Sequence, residues 1–247
     1  MPPHSELTHA VYRELLETAL DSGYEIAPFE AHERSTGDYV CLLRHDVDAD
    51  PGAALDIARI EHELGVVSTF FFMLRSPIYN LFARANQELA EQTLALGHRL
   101  GLHYDPGFAP RAGRTHTDQI EIELDVLEAM FGTRPGAVAF HQPSQVPGAM
   151  EIPVRGAVKA NMLPGYHFVA DPNMSDWVMN AFEFFRTRER PKIQLLVHPI
   201  WWRADPGRST VELWDDAILA NWQRSQQQLL ATERAFGPPR ALRIERG

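Results

Sequence analysis

Cysteine is nearly absent from this chain of 247 residues: Cys41 is the only one. That excludes an intrachain disulfide and a thiolate-built metal centre. Cys41 lies in the apolar run Tyr39-Val40-Cys41-Leu42-Leu43, where a free thiol packs as a small hydrophobe. Positive charge is short as well, with 23 Lys and Arg against 33 Asp and Glu and a net charge of −10. The arginines at 186, 188 and 190 read as a solvated helix end, and without a basic stripe the chain is not expected to bind nucleic acid. No apolar run approaches the roughly 20 residues that span a bilayer, so no membrane partner is expected. The opening MPPHSELTHAVYRELL lacks the basic-then-apolar order of a secretory signal, which makes a cytoplasmic protein the expectation. No internal repeat or low-complexity tract is present. No GxGxxG or GxxxxGKS/T pattern follows a strand-like run, which argues against a nucleotide site.

What remains is the balance of an ordinary globular protein, 45% hydrophobic and 23% charged. At this length a single domain spanning 1–247 can bury most of its apolar surface. Helical spacing of Leu7, Val11, Leu15, Leu16 and Ala19 predicts a helix over 6–22. It forms an N-terminal extension (1–35) expected to pack across the bottom of the main fold. Short apolar runs at 39–46, 66–73, 99–104, 136–141, 166–170 and 193–198 read as strands. Helices are predicted between them at 51–64, 80–96, 117–131, 150–160 and 174–186, with a last one over 212–235. Such alternation predicts a parallel sheet with helical crossovers. The strand runs are apolar throughout, as when both faces are covered. Six or seven units fit a complete or slightly short (β/α) barrel, with an open doubly wound sheet as the alternative.

Five of these runs end in Asp or His. The first leads into Arg44-His45-Asp46-Val47-Asp48, the third into His103-Tyr104-Asp105, the fourth into His141, the fifth into Asp171 and the sixth into His198. In a (β/α) barrel those ends share one rim, where active sites are built. The period of two turns Asp46 and Asp48 the same way, and likewise His103 and Asp105. Adjacent carboxylates repel unless a cation lies between them or one holds a proton. Imidazole with carboxylate suits zinc, manganese, iron or cobalt better than magnesium or calcium. Asp50, directly before Pro51, reads as a helix N-cap instead. The remaining histidines do not share the pattern: His4, His32, His62 and His116 read as surface residues, His98 lies at the wrong end of its strand, and His167 points into packing. Trp201 and Trp202, next to His198, either stack on a substrate ring or cover the barrel mouth as core.

Four blocks give the chain a resemblance to the polysaccharide deacetylase family, also called the NodB-homology domain or carbohydrate esterase family four. They are Leu43-Arg44-His45-Asp46-Val47-Asp48, Ser68-Thr69-Phe70-Phe71-Phe72, Gly97-His98-Arg99-Leu100-Gly101-Leu102-His103 and Leu196-Val197-His198-Pro199. The resemblance covers about residues 38–202. It implies a distorted (β/α) barrel of about seven parallel strands and a metal-dependent hydrolase that deacetylates N-acetylated sugars. It further implies Asp46 as catalytic base, Asp48 and His103 as metal ligands and His198 as general acid. Asp171 and Trp177 resemble the family's fourth block, where an Asp orients catalytic groups. The chain departs from the pattern in three places. Val47 separates the usual adjacent acidic pair. Gly107 stands where a second metal histidine would fall, leaving Asp105 and His141 as candidates for the third ligand, with a site that uses Asp46 itself as a further alternative. His141 also replaces the arginine of the third block.

The expectation is therefore one divalent ion, zinc first, with cobalt, manganese or iron as alternatives. It would serve to remove an acetyl or similar acyl group from an amino sugar or glycan precursor. Arg44, Tyr104, Trp201 and Trp202 are the candidate substrate contacts, and the substrate is a small molecule or sugar. Two other readings share the motifs: a metal hydrolase of another small amide or ureide, and a non-catalytic carbohydrate-binding relative.

Overall fold

The computed structural model describes residues 7–33, 35, 37–161, 163–171, 177–233 and 235. Helix α1 (His9–Asp21) and strand β1 (Glu25–Ala27) lead into β2 (Val40–Val47), α2 (Pro51–Glu63), β3 (Thr69–Phe72), α3 (Arg84–Ala95) and β4 (Arg99–Tyr104). Then come α4 (His116–Phe131), β5 (Ala137–Phe140), β6 (Val158–Lys159), β7 (His167–Ala170), α5 (Trp177–Thr187), β8 (Lys192–Val197) and α6 (Thr210–Thr232). Every ladder is parallel. Seven strands follow one another as β6-β5-β4-β3-β2-β8-β7. The short β1 lies beside Val40–Leu42 of β2, on the edge that β3 takes over at Arg44. The result is a distorted (β/α) barrel that curls without closing.

Among the described residues no ladder joins β6 to β7, and side chains bridge that seam. Buried Gln194, on β8, donates from Nε2 to the Ala160 carbonyl at 2.6 Å and accepts from Leu163 N–H at 3.1 Å. The amide thus ties the two sides of the seam together where no ladder does.

Alternation along the strands sorts side chains into two cores. Val40, Leu42, Phe71, Ala137 and Ala139 pack inside the barrel with Ala160. Cys41, Leu43, Phe70, Phe72, Leu100, Leu102, Val138, Ile193 and Leu195 face the helices. All eight residues of β2 are buried, which explains its unbroken apolar run before Arg44. Asp50 caps α2 by accepting from Gly52 N–H at 2.9 Å, with Pro51 at the helix start, as the sequence predicts.

Two expectations change. The predicted helix over 150–160 is instead a 3-10 turn (Ala149–Glu151) followed by β6. Pro153 denies the segment an N–H donor, and Gly156 sits at φ +65°, outside helical space. The N-terminal helix does not plug the barrel's bottom. It lies in the outer helix layer against α2 and α5, with Thr8 bridged to Arg203 at the rim and Tyr24 Oη donating to the Arg190 carbonyl at the opposite end. No helix among the described residues is long and apolar enough to cross a membrane.

Candidate metal centre

The strand ends of β2, β4 and β5 meet at one point of the rim. Asp48 Oδ1 lies 3.0 Å from His103 Nε2 and 3.2 Å from His141 Nδ1, and the two imidazole nitrogens are 3.3 Å apart. Asp46 Oδ2 approaches the same His103 nitrogen at 3.5 Å, so the two carboxylates face the same way. One donor atom from each of Asp48, His103 and His141 falls within 4.8 Å of the others.

The donor set fits a divalent cation. His103 Nδ1 lies 3.1 Å from the Ala139 carbonyl oxygen. A carbonyl only accepts, so Nδ1 carries the hydrogen and Nε2 is the ring nitrogen that faces the cluster. Asp48 Oδ1 is buried and receives no hydrogen bond although both rings crowd it. A buried carboxylate oxygen in that state carries a desolvation cost that a cation removes. Two imidazoles and one carboxylate make the three-ligand set that leaves a position open at catalytic zinc sites. Without an ion the cluster competes for protons. Burial acts against charge on His141, but Asp48 outweighs it and raises His141 from its ordinary value. Burial likewise works against the Asp48 carboxylate, yet contact with His103 and His141 holds it well below the usual range.

Arg44 and Asp46, inward neighbours on β2, form a second unit. Arg44 Nε and Nη2 donate to the two oxygens of Asp46, both at 2.7 Å. Burial favours the neutral acid, but the Arg44 charge overrides it and lowers the carboxyl's pKa. The guanidinium rests over Phe71, 5.4 Å from the ring centroid. That ring has room because residue 101 has no side chain: a Cβ there would come within 2.4 Å of Phe71 Cδ1.

A third unit comes from β7 and β8. His198 Nδ1 is 2.6 Å from Asp171 Oδ1, and Asp171 Oδ2 accepts from the His198 backbone N–H and from Trp202 Nε1 at 2.9 Å each. Burial would depress His198, but Asp171 dominates and raises it to about 9. The free Nε2 points inward, 3.9 Å from Asp48 Oδ2.

Not every expected residue joins the site. Asp105 turns away to accept from Gly107 N–H at 2.7 Å, a loop-forming contact. Tyr104 is buried outside the barrel with its hydroxyl 2.7 Å from His116 Nδ1. Trp202 is buried core holding Asp171, which removes it as a substrate contact. Trp201 and Arg44 line a cavity of about 520 Å³ that opens beside Asp48. Trp177 begins α5, but its side chain lies outside the described residues, as do His4 and residues 174–176 of the predicted fifth helix.

One buried cluster was missed. Glu61 of α2 accepts from Tyr12 of α1 and from Ser68, and it pairs with His45. His98 Nδ1 lies 3.4 Å from the same carboxylate. Its signal in the sequence is an acid at helical spacing from Ala54, Ile57 and Ala58, on the apolar face of α2.

No family model matches the chain, and no curated protein does. Several solved structures are similar. A family 4 carbohydrate esterase from Bacillus anthracis is 13% identical, with 86% of each chain covered and a TM-score of 0.43. The peptidoglycan deacetylase PdaC from Bacillus subtilis is 16% identical over 74% of this chain and 82% of its own, with a TM-score of 0.43. A CE4 family pseudoenzyme from Bacillus anthracis is 17% identical over 74% of this chain and 60% of its own, with a TM-score of 0.41.

Proposed function

We propose that this chain is a metal-dependent hydrolase that removes an acetyl or similar acyl group from the amide nitrogen of an amino sugar or a related small glycan precursor. One observation carries the reading: the buried Asp48 Oδ1 is held between ring nitrogens of His103 and His141, at 3.0 and 3.2 Å. Beside it stand Asp46, whose carboxyl Arg44 lowers, 3.5 Å from His103 Nε2, and His198, whose imidazole Asp171 raises, 3.9 Å from Asp48 Oδ2.

Asp48, His103 and His141 would hold one divalent ion, zinc first among the candidates. Bound there, such an ion makes water a better nucleophile at neutral pH and polarises the acyl carbonyl. Asp46 accepts the proton of the attacking water. Arg44 occupies one lone pair on each Asp46 oxygen and leaves the others free. His198 carries a proton on Nε2 and gives it to the departing nitrogen, while Asp171 fixes the ring through Nδ1. Acid and base flanking one bond is the arrangement that general acid–base catalysis needs. The block resemblance supports the same division of roles.

The test is metal analysis of the purified protein together with an acetate-release assay on N-acetyl amino sugars. About one equivalent of metal is expected, with hydrolysis abolished by a chelator and restored by zinc. Metal-free protein that still hydrolyses, or metal content unchanged in both Asp48→Ala and His103→Ala, overturns the reading.

A further inference from the structure

The cavity beside the centre is graded in polarity. Its mouth carries the exposed side chains Gln142, Ser144 and Gln145. Apolar side chains line the rest of it: the exposed Phe168 together with Met150, Ala170, Leu196, Trp201 and Trp214. Of these Leu196 and Trp201 are buried, and Trp201 meets Trp214 edge-on at 5.8 Å. Asn161 also lines the cavity, but its amide donates to the Phe140 carbonyl and accepts from the Phe140 N–H. Those two bonds fix the amide's orientation. Gln194 is likewise committed to Ala160 and Leu163.

A sugar ring buried against these carbon side chains would leave several hydroxyls facing carbon, each at a desolvation cost. An acyl chain would meet only carbon and gain from leaving water. Size agrees, because a water claims about 30 Å³ of liquid volume and the cavity measures about 520 Å³. That is far more than an acetyl group and one water need.

We propose that the cavity takes an N-acyl group longer than acetyl, with the polar amine-bearing part of the substrate at the Gln142–Gln145 mouth. This rests on the hydrolase reading above. Water adds across the C–N bond: the acyl carbon gains the oxygen and leaves as a carboxylate, and the nitrogen takes a proton from His198 and leaves as the amine.

The experiment is a chain-length series, N-acetyl to N-octanoyl glucosamine, with released amine measured for the metal-loaded enzyme. Each added methylene is expected to raise kcat/KM by roughly fourfold over the first few carbons, as burial of about 0.8 kcal/mol per CH2 implies. In Ala170→Leu, which fills the inner wall, the octanoyl-to-acetyl ratio should fall toward one. A kcat/KM that is highest for acetyl overturns the proposal and leaves the hydrolase reading intact. If no member is hydrolysed, the hydrolase reading fails, and calorimetric binding of the same series to the unmodified protein decides the cavity. Affinity rising with chain length upholds it, and affinity independent of chain length overturns it.

Discussion

Arg44 and Asp46 stand two residues apart on β2 and close a two-point ion pair inside the barrel, with both contacts at 2.7 Å. In this structure the guanidinium beside the candidate base comes from the base's own strand. Arg44→Met would leave the Asp46 charge buried without its partner, a loss of about 3–5 kcal/mol. Arg44→Lys keeps a charge but loses the planar fork. Urea denaturation should rank the proteins wild type, then Lys, then Met, and kcat/KM should follow the same order. Equal stability of the Met variant and wild type would show that the pair holds nothing in place.

Metal uptake should depend on pH through the histidines. Asp48 raises His141 from its ordinary value in the absence of an ion, so a proton competes with the cation and must leave when it binds. Zinc affinity is therefore expected to fall as pH drops below neutral, with proton release on binding visible as buffer-dependent enthalpy in calorimetry. His141→Ala should bind zinc at least tenfold more weakly and release fewer protons. An Asp105→Ala variant should match wild type, because that carboxylate serves the Gly107 turn.

The rim was legible in the sequence because strand periodicity is rigid. Once β2, β4 and β5 were placed, Asp46, Asp48, His103 and His141 had to converge. The seam was not legible, since β1 and β6 have three and two residues, too few to show a period. Nor was the third ligand settled, because Asp105 shares a face with His103 in the strand pattern, and only the turn at Gly107 diverts it. Tyr104 and Trp202 were misplaced for a related reason. The period of two turns Tyr104 opposite to His103, and Trp202 lies beyond β8, where that period no longer applies.

The Glu61 cluster makes a prediction about stability alone. Burial works against its charge, but His45 outweighs it and lowers the Glu61 pKa. A depressed folded value stabilises above the ordinary glutamate range, and that contribution is lost as pH falls through the folded value. Glu61→Gln should cost about 1–3 kcal/mol at pH 7. It should also flatten the acid limb of the stability curve, read by denaturant titration from pH 7 down to about 3. A parallel downward shift of the whole curve, with the acid limb unchanged, would assign the acid sensitivity to other carboxylates.

Asp171 sets the working form of His198, and a pH profile should show it. The imidazole is raised to about 9, against about 6.5 for an unperturbed histidine. The pairing therefore contributes stability in full below about 6.5 until Asp171, itself raised by burial, takes a proton, and loses it as pH rises through about 9. The acid form needed to protonate the leaving nitrogen persists over the same range. In Asp171→Asn the alkaline limb of kcat should move down toward about 6.5. At pH 8 a smaller fraction of His198 would then hold its proton than in the wild type. KM should change little, because Asp171 is buried behind His198 and does not line the cavity. Some stability is also lost, since the new amide hydrogens would face the Trp202 N–H, a donor that now reaches Asp171 Oδ2 at 2.9 Å. A kcat profile whose alkaline limb stays in place in a folded, metal-loaded Asp171→Asn protein would remove His198 from the role of acid.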